Sequence, residues 1–335
     1  VKVRRNLWWL VLLLLIALFP VTLGRISPYY NTVLILVGIY VILAVSLDLL
    51  IGFAGQISVG HAAFFALGAY TSGILTARHS ISPPIALLCG LFVGGLVAWG
   101  IGRAVLRLKG YYLAMATLGL NAVVVKLITG FASITGGASG LLNIPPFKIL
   151  GLTLQDHTYY YYFVWGIVIL VMICCLVLTK SPFGSTLIAI HSDEEAAATL
   201  GIDCPKYKLH VFVISSMLAG VAGSLFAHFM GFIAPDDFDI FTSILILVML
   251  FLGGVGTIYG AALGAAFLKL LPEVTYRFQN YELFFHGLIL VLVLIFMPKG
   301  LLGVLRSVKN GLFGSKILPN PPSLGTVRSG FEDRV

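Results

Sequence analysis

Ser46 to Tyr70, SLDLLIGFAGQISVGHAAFFALGAY, gathers the side chains that could do chemistry within a very apolar chain. Gln56, Ser58 and His61 offer an amide, a hydroxyl and an imidazole, and Asp48 adds a carboxylate. A serine with a histidine suggests nucleophilic hydrolysis. The G-x-S-x-G window that such chemistry uses fails here, because Gln56-Ile57-Ser58-Val59-Gly60 lacks the first glycine. No G-x-x-x-x-G-K-[ST] phosphate loop occurs, nor any Gly-Lys dipeptide, so ATP hydrolysis is not expected from this chain. No histidines or cysteines have HExxH or C-x-x-C spacing, and no metal is expected. Binding and passage remain. Gly52, Gly55 and Gly60 permit a broken helix, whose freed backbone groups can line a cavity. Polar groups at that depth mark a substrate path or gate, or equally hydrogen bonds between helices. Asp48 has the further option of sitting at the membrane interface.

The elements that position these groups follow from composition. Hydrophobic residues make up 59% of the 335 residues and charged residues 10%, against about 25% charged in soluble proteins. Mean hydropathy is +1.03. There is too little polar surface for a soluble globule, so the fold class is an all-α integral membrane protein. Residues 7–23 follow Lys2, Arg4 and Arg5 and read as a retained first span rather than a signal peptide. Runs able to span follow at 31–51, 61–77, 84–106, 111–131, 159–179, 209–232, 241–258, 260–276 and 281–298, giving about ten transmembrane helices. The division inside 241–276 rests only on Gly253 to Gly256. Residues 1–308 form one transmembrane domain, and 309–335, with Pro319, Pro321 and Pro322, a flexible cytosolic tail.

Lys and Arg concentrate in alternate connections and at both ends, which places both termini in the cytosol. The net charge of +8 is of this kind and does not imply nucleic acid. Trp8-Trp9, Tyr29-Tyr30, Tyr111-Tyr112 and Tyr159 to Tyr162 read as interfacial belt residues. Lys126 and Lys269 are expected to snorkel, and His228 and His286 to pack. Gly253-x-x-Gly256 with Gly260 echoes Gly52-x-x-Gly55 with Gly60, either as a repeat or as a shared need for tight turns.

The polar loop Lys180 to Lys208 interrupts the spans. Ser181-Pro182 reads as a helix start. Ser192 and Glu195 have capping-box spacing, Asp193 and Glu194 suit the first turn, and Gly201 sits where a helix stops. The small residues would let another surface approach closely. On the far side, Thr135-Gly136-Gly137-Ala138-Ser139-Gly140 opens a connection reaching Thr158, long enough to suggest docking or a lid.

Glu195-Ala196-Ala197 followed by Gly201 resembles the EAA-xxx-G signature of ABC importer permeases. Taken with Gly52 to Phe64, Leu106 to Ala114, Thr117-Leu118-Gly119, Thr135-Gly136-Gly137, Ser181 to Gly184, Pro235-Asp236 and Pro298 to Gly303, the chain resembles the LivM-type permeases of branched-chain amino acid importers. The resemblance implies a vitamin B12-importer-like fold in a bacterial inner membrane. It also implies a LivH-like second permease subunit, two ATPase subunits that use ATP and Mg, and a periplasmic binding protein. It assigns ATPase coupling to Asp193, Glu194, Glu195, Ala196, Ala197 and Gly201. Gln56, Ser58 and His61 are candidates for the substrate path, and Thr135, Gly136 and Gly137 for external docking. Uptake of branched-chain or hydrophobic amino acids is expected, with urea, short amides or aromatic acids as the alternative. A non-transport scaffold is disfavoured by the glycine-broken polar spans. The chain departs from the family pattern at Asp48, usually Asn, at Ala122, usually Glu, and in being less basic around Ser185, Leu187 and His191.

Overall fold

A computed structural model gives the fold; the structure describes residues 28–149, 152–154 and 156–275, with isolated positions at 287, 300, 301 and 303. The expected first span at 7–23, Trp8-Trp9, the run at 281–298 with His286, and the tail at 309–335 lie outside the described residues.

In chain order, α1 is Pro28–Asp48, continued by a π-helical turn at Leu49–Phe53. Helix α2 is His61–Ala77, α3 Pro83–Val105 and α4 Tyr111–Gly130. The next connection holds α5, Ala132–Thr135, a 3-10 turn at Gly137–Ser139, and a hairpin of β1, Lys148–Ile149, with β2, Leu152–Thr153. Then come α6, His157–Lys180, α7, Pro182–Ser192, α8, Glu194–Thr199, and α9, Cys204–Met230. A 3-10 turn at Pro235–Phe238 leads to α10, Ile240–Gly253, and α11, Ile258–Thr275.

The apolar runs thus fall on helices, and the polar Gly/Pro stretches on their breaks. Among the described residues five helices are long and apolar enough to cross a membrane: α1 with its continuation, α3, α4, α6 and α9. The two separate spans expected between 241 and 276 are instead α10 and α11, bent by 119° at their junction and at most one broken span. The reason is length. Helix α10 has 14 residues, about 21 Å, against about 30 Å of hydrocarbon. Among the described residues the count is therefore five spans, or six with the bent pair, and the spans expected at 7–23 and 281–298 lie outside them.

Helix α1 forms the core, 89% of its apolar window being buried, and α9 follows at 67%. Helices α3, α4 and α6 lie outside them and show Phe92, Leu96, Met115, Leu170 and Val177 outward, as lipid-facing surfaces do. Small residues let α9 lie directly on α2 and α3. A Cβ on Gly68 would collide with the Gly220 carbonyl, and one on Gly223 with the Phe65 carbonyl. Tyr29, Tyr30, Tyr111, Tyr112 and Tyr159 are exposed, as a belt requires, but Tyr160 and Tyr161 are buried. The Tyr160 hydroxyl donates to the Leu225 carbonyl at 2.7 Å, tying α6 to α9. Lys269 reaches back to α1. Its Nζ lies 3.7 Å from the centre of the Tyr40 ring.

Candidate functional site

Three places carry the polar groups. The first is the break between α1 and α2. Gly55, at φ +66°, and the π turn end α1, and six residues later α2 begins at His61. The freed backbone amides find side chains from other helices. Val59 N donates to Thr117 Oγ1 of α4 at 3.0 Å, and Ala62 N to Ser243 Oγ of α10 at 3.1 Å. His61 is fully buried, with Nε2 2.7 Å from Ser46 Oγ, and Ser46 Oγ donates to the Leu43 carbonyl at 2.8 Å. His61 therefore donates and clamps α2 to α1. Gln56 and Ser58 differ. Both are buried, and among the described residues neither the Gln56 amide nor Ser58 Oγ has a hydrogen-bond partner. Asn121, one turn beyond Thr117 on the same face of α4, is 0% exposed and likewise unpartnered at both side-chain atoms. Each such group costs about 1–3 kcal/mol when left unsatisfied. Gln56 and Ser58 lie in the break itself, and Asn121 lies one turn from Thr117, which accepts from the break. Sequence reasoning missed Asn121, because nothing in its local pattern distinguishes it from a helix-packing residue.

Asp48 is also buried. Its Oδ1 accepts from Gly256 N at 2.7 Å, in the junction between α10 and α11, while Oδ2 has no hydrogen-bond partner. The two glycine-rich breaks that echo one another in sequence therefore touch.

The second place is the α7–α8 hairpin. Pro182 occupies the first helical position of α7, as expected. The capping box does not form. Ser192 ends α7 and donates to Ile188 O at 2.9 Å, whereas Asp193 caps α8, its Oδ1 accepting from Glu195 N and Ala196 N at 3.0 Å each. A carboxylate accepts two amides more strongly than a hydroxyl accepts one, so the cap moves one residue on. At the other end Gly201 takes φ +84°. Ile202 N donates to Ala197 O and Gly201 N to Ala198 O, a Schellman stop. Glu194 is engaged inside the chain, 2.7 Å from Lys208 Nζ and 3.7 Å from Lys109 Nζ. Partial burial alone would raise its pKa, but the hydrogen bond and charge of Lys208, with Lys109, hold it below the usual carboxylate value.

Ala197 turns into the chain. It is buried with Ile190 and Cys204, against Ile202 and Tyr207. The outward positions are Glu195, Ala196, Ala198, Thr199 and Leu200, and Leu200 is 82% exposed.

The third place is the connection after α4. Because Lys109 reaches Glu194, the start of α4 lies at the hairpin end of the bundle and this connection at the opposite end. It is folded rather than a bare loop. Thr135 is buried and donates to Ile128 O at 2.5 Å and Phe131 O at 2.9 Å, while Gly137 N donates back to its Oγ1 at 3.2 Å. Leu141 bridges Ile233, and His228 packs as expected, with Nδ1 2.8 Å from Pro145 O and Nε2 2.9 Å from Ser72 Oγ. Thr135 and Gly137 shape the turn, and Gly136 is half-buried; the large apolar side chains of the neighbouring Phe131, Ile134 and Leu142 are exposed.

Comparison with known proteins gives the family. Residues 29–294 match the family described as branched-chain amino acid transport system / permease component. The chain is 31% identical to the high-affinity branched-chain amino acid transport system permease protein LivM of Escherichia coli, covering 92% of this chain and 78% of that protein. It is 30% identical to LivM of Salmonella typhimurium, over 91% and 76% respectively. The autoinducer 2 import system permease protein LsrC of Shigella flexneri is 28% identical, over 73% and 70%. No solved structure matches. These similarities over nearly the whole chain, with spanning helices and a polar break, make it a multi-pass inner-membrane protein that belongs to the branched-chain amino acid transport permease family of ABC importers.

Proposed function

We propose that this permease moves branched-chain or other hydrophobic amino acids into a bacterial cell by ATP-driven alternating access. A LivH-like subunit would complete the passage, a periplasmic binding protein would deliver substrate, and two ATPase subunits would use ATP and Mg. The hairpin end would face the cytosol, with both termini, and the connection holding Thr135 to Gly137 would face the binding protein. The observation that carries this reading is the cluster of Gln56, Ser58 and Asn121, buried and unpartnered at a helix break. Such groups can exchange hydrogen bonds with the ammonium and carboxylate of an amino acid, while the apolar helix faces tolerate its side chain. The hairpin supports the energy source, being capped at both ends and presenting Glu195, Ala196 and Leu200 outward.

Uptake by proteoliposomes holding the whole importer tests the reading. Leucine, isoleucine and valine should accumulate only with ATP on the hairpin side. Accumulation of urea, short amides or aromatic acids in their place would overturn the substrate, and uptake independent of ATP would overturn the mechanism.

A further inference from the structure

We infer that His191 is the positioning residue that links the α7–α8 hairpin to the break after α1 and, through Gly52 and Asp48, to the junction between α10 and α11. The inference rests on the reading that the hairpin receives motion from an ATPase. His191 is the penultimate residue of α7, beside the Asp193 elbow. Its Nδ1 lies 3.1 Å from the Gly52 carbonyl, so Nδ1–H donates into the π turn. The ring covers Gly55. A Cβ there would come within 2.7 Å of His191 Cδ2 and 3.1 Å of Cγ, so the absence of a side chain makes room for the imidazole.

Gly52 carries the contact inward. Its carbonyl takes the hairpin's proton donor, while its Cα packs on the second break, where a Cβ would lie 2.7 Å from Gly256 Cα and would also collide with Asp48 Oδ1. Asp48 then holds Gly256 N at 2.7 Å. One residue is thus pinned by the hairpin on one side and by the other broken helix pair on the other. The segment between is suited to move. A π turn is a loosened helix of the kind found at functional sites, and here Gln56 N reaches back to Leu50 O. Neither end of the hairpin slides freely, since Leu187 and Ile190 are buried on α7 and Ala197 on α8. A rotation about the elbow therefore swings the His191 ring and pulls on Gly52. His191 lies between the exposed hairpin and the unpartnered Gln56 and Ser58, where a mechanical tie is required.

Two variants separate the donor from the ring. His191→Phe keeps a ring over Gly55 and loses the donor. His191→Asn keeps a donor near the Nδ1 position. In proteoliposomes of the complete importer, His191→Phe should lower substrate transported per ATP about fivefold, with ATPase binding and hydrolysis preserved, and His191→Asn should recover roughly half of the loss. Wild-type stoichiometry in His191→Phe overturns the inference. Hydrogen exchange in the permease alone reads the same tie without transport. Amides 54–60 should exchange about fivefold faster in His191→Phe and in His191→Ala, while those of α2 stay unchanged. Unchanged exchange at 54–60 in both variants also overturns it. A wild-type importer that takes up no amino acid refutes the proposed function instead and leaves the exchange result to decide the link.

Discussion

Leu200 offers a quantitative test of what the hairpin binds. It caps α8 at ordinary backbone angles, φ −81° and ψ 5°, so a substitution there strains nothing. At 82% exposure its side chain contributes little to the fold, and exposed substitutions of this kind usually change stability by no more than about 0.5 kcal/mol. If a partner groove buries it fully, removing it from water gains about 1.5–3 kcal/mol. Truncation to alanine should therefore cost about 2 kcal/mol, or roughly thirtyfold in affinity for the ATPase subunits. Leu200→Glu should cost more, because it places a charge in an apolar groove. Titrating purified ATPase onto the immobilised permease pair measures this directly, and uptake should fall in parallel. The contrasting change is Ala197→Trp, which drives a ring into the cluster of Ile190, Cys204, Ile202 and Tyr207. It should loosen the hairpin itself, at about 1–3 kcal/mol or more, and reveal this as faster amide exchange over 194–202. ATPase binding within twofold of wild type in Leu200→Ala would show that the exposed leucine is not an anchor.

Four further outcomes are expected. Gly68→Ala should lower the melting temperature of the purified protein by pushing α2 from α9, at about 1–3 kcal/mol, whereas Gly166→Ala, with nothing within 4 Å, should be neutral or stabilising; equal melting of the two would refute the crossing. Gln56→Leu and Asn121→Leu should impair uptake while assembly and stability hold or improve, since each removes an unpartnered buried polar group, and normal uptake in both would make the cluster packing only. The lowered pKa of Glu194 means that its contribution is present above the unfolded carboxylate value and lost as pH falls through the folded one; a nitroxide at Thr199 should become more mobile on acidification, and an unaltered pH response in Glu194→Gln would refute the pairing. In a background lacking native cysteines, a cysteine at Ser192 should label only from the cytosol and one at Ser139 only from outside, and the reverse would invert the orientation.

Much of the helix layout was legible because hydropathy and glycine placement are local. The runs at 31–51, 84–106 and 159–179 fall within a few residues of α1, α3 and α6. The junction at 254–257 was visible as glycines, but its 119° bend was not, since direction after a break is set by what the second helix packs against. The hairpin's limits were legible, and its inner and outer faces were not. Ala196, Ala197 and Ala198 are identical in propensity, and only the position of Ile190 and Cys204 decides that the middle one turns inward. The polar break was legible as composition. The partnering of His61 with Ser46, against the lone Gln56 and Ser58, depends on a distance between chain-remote atoms that no spacing rule supplies.

Helix α9 has 27 residues, about 40 Å of rigid rod, against about 30 Å of hydrocarbon. Roughly 10 Å of it stands clear of the bilayer, and the hairpin is fastened to that projecting stretch through Cys204, Tyr207 and the Glu194–Lys208 pair. The same rod is gripped along its buried length by glycine contacts to α2 and α3. It is thus a lever whose handle is the hairpin end, which the proposed orientation puts in the cytosol. A tilt of about 10° at the far end moves the handle by about 7 Å, a displacement on the scale of a side chain. Small rotations deep in the bundle and large excursions at the surface are, for this helix, one movement seen at two radii.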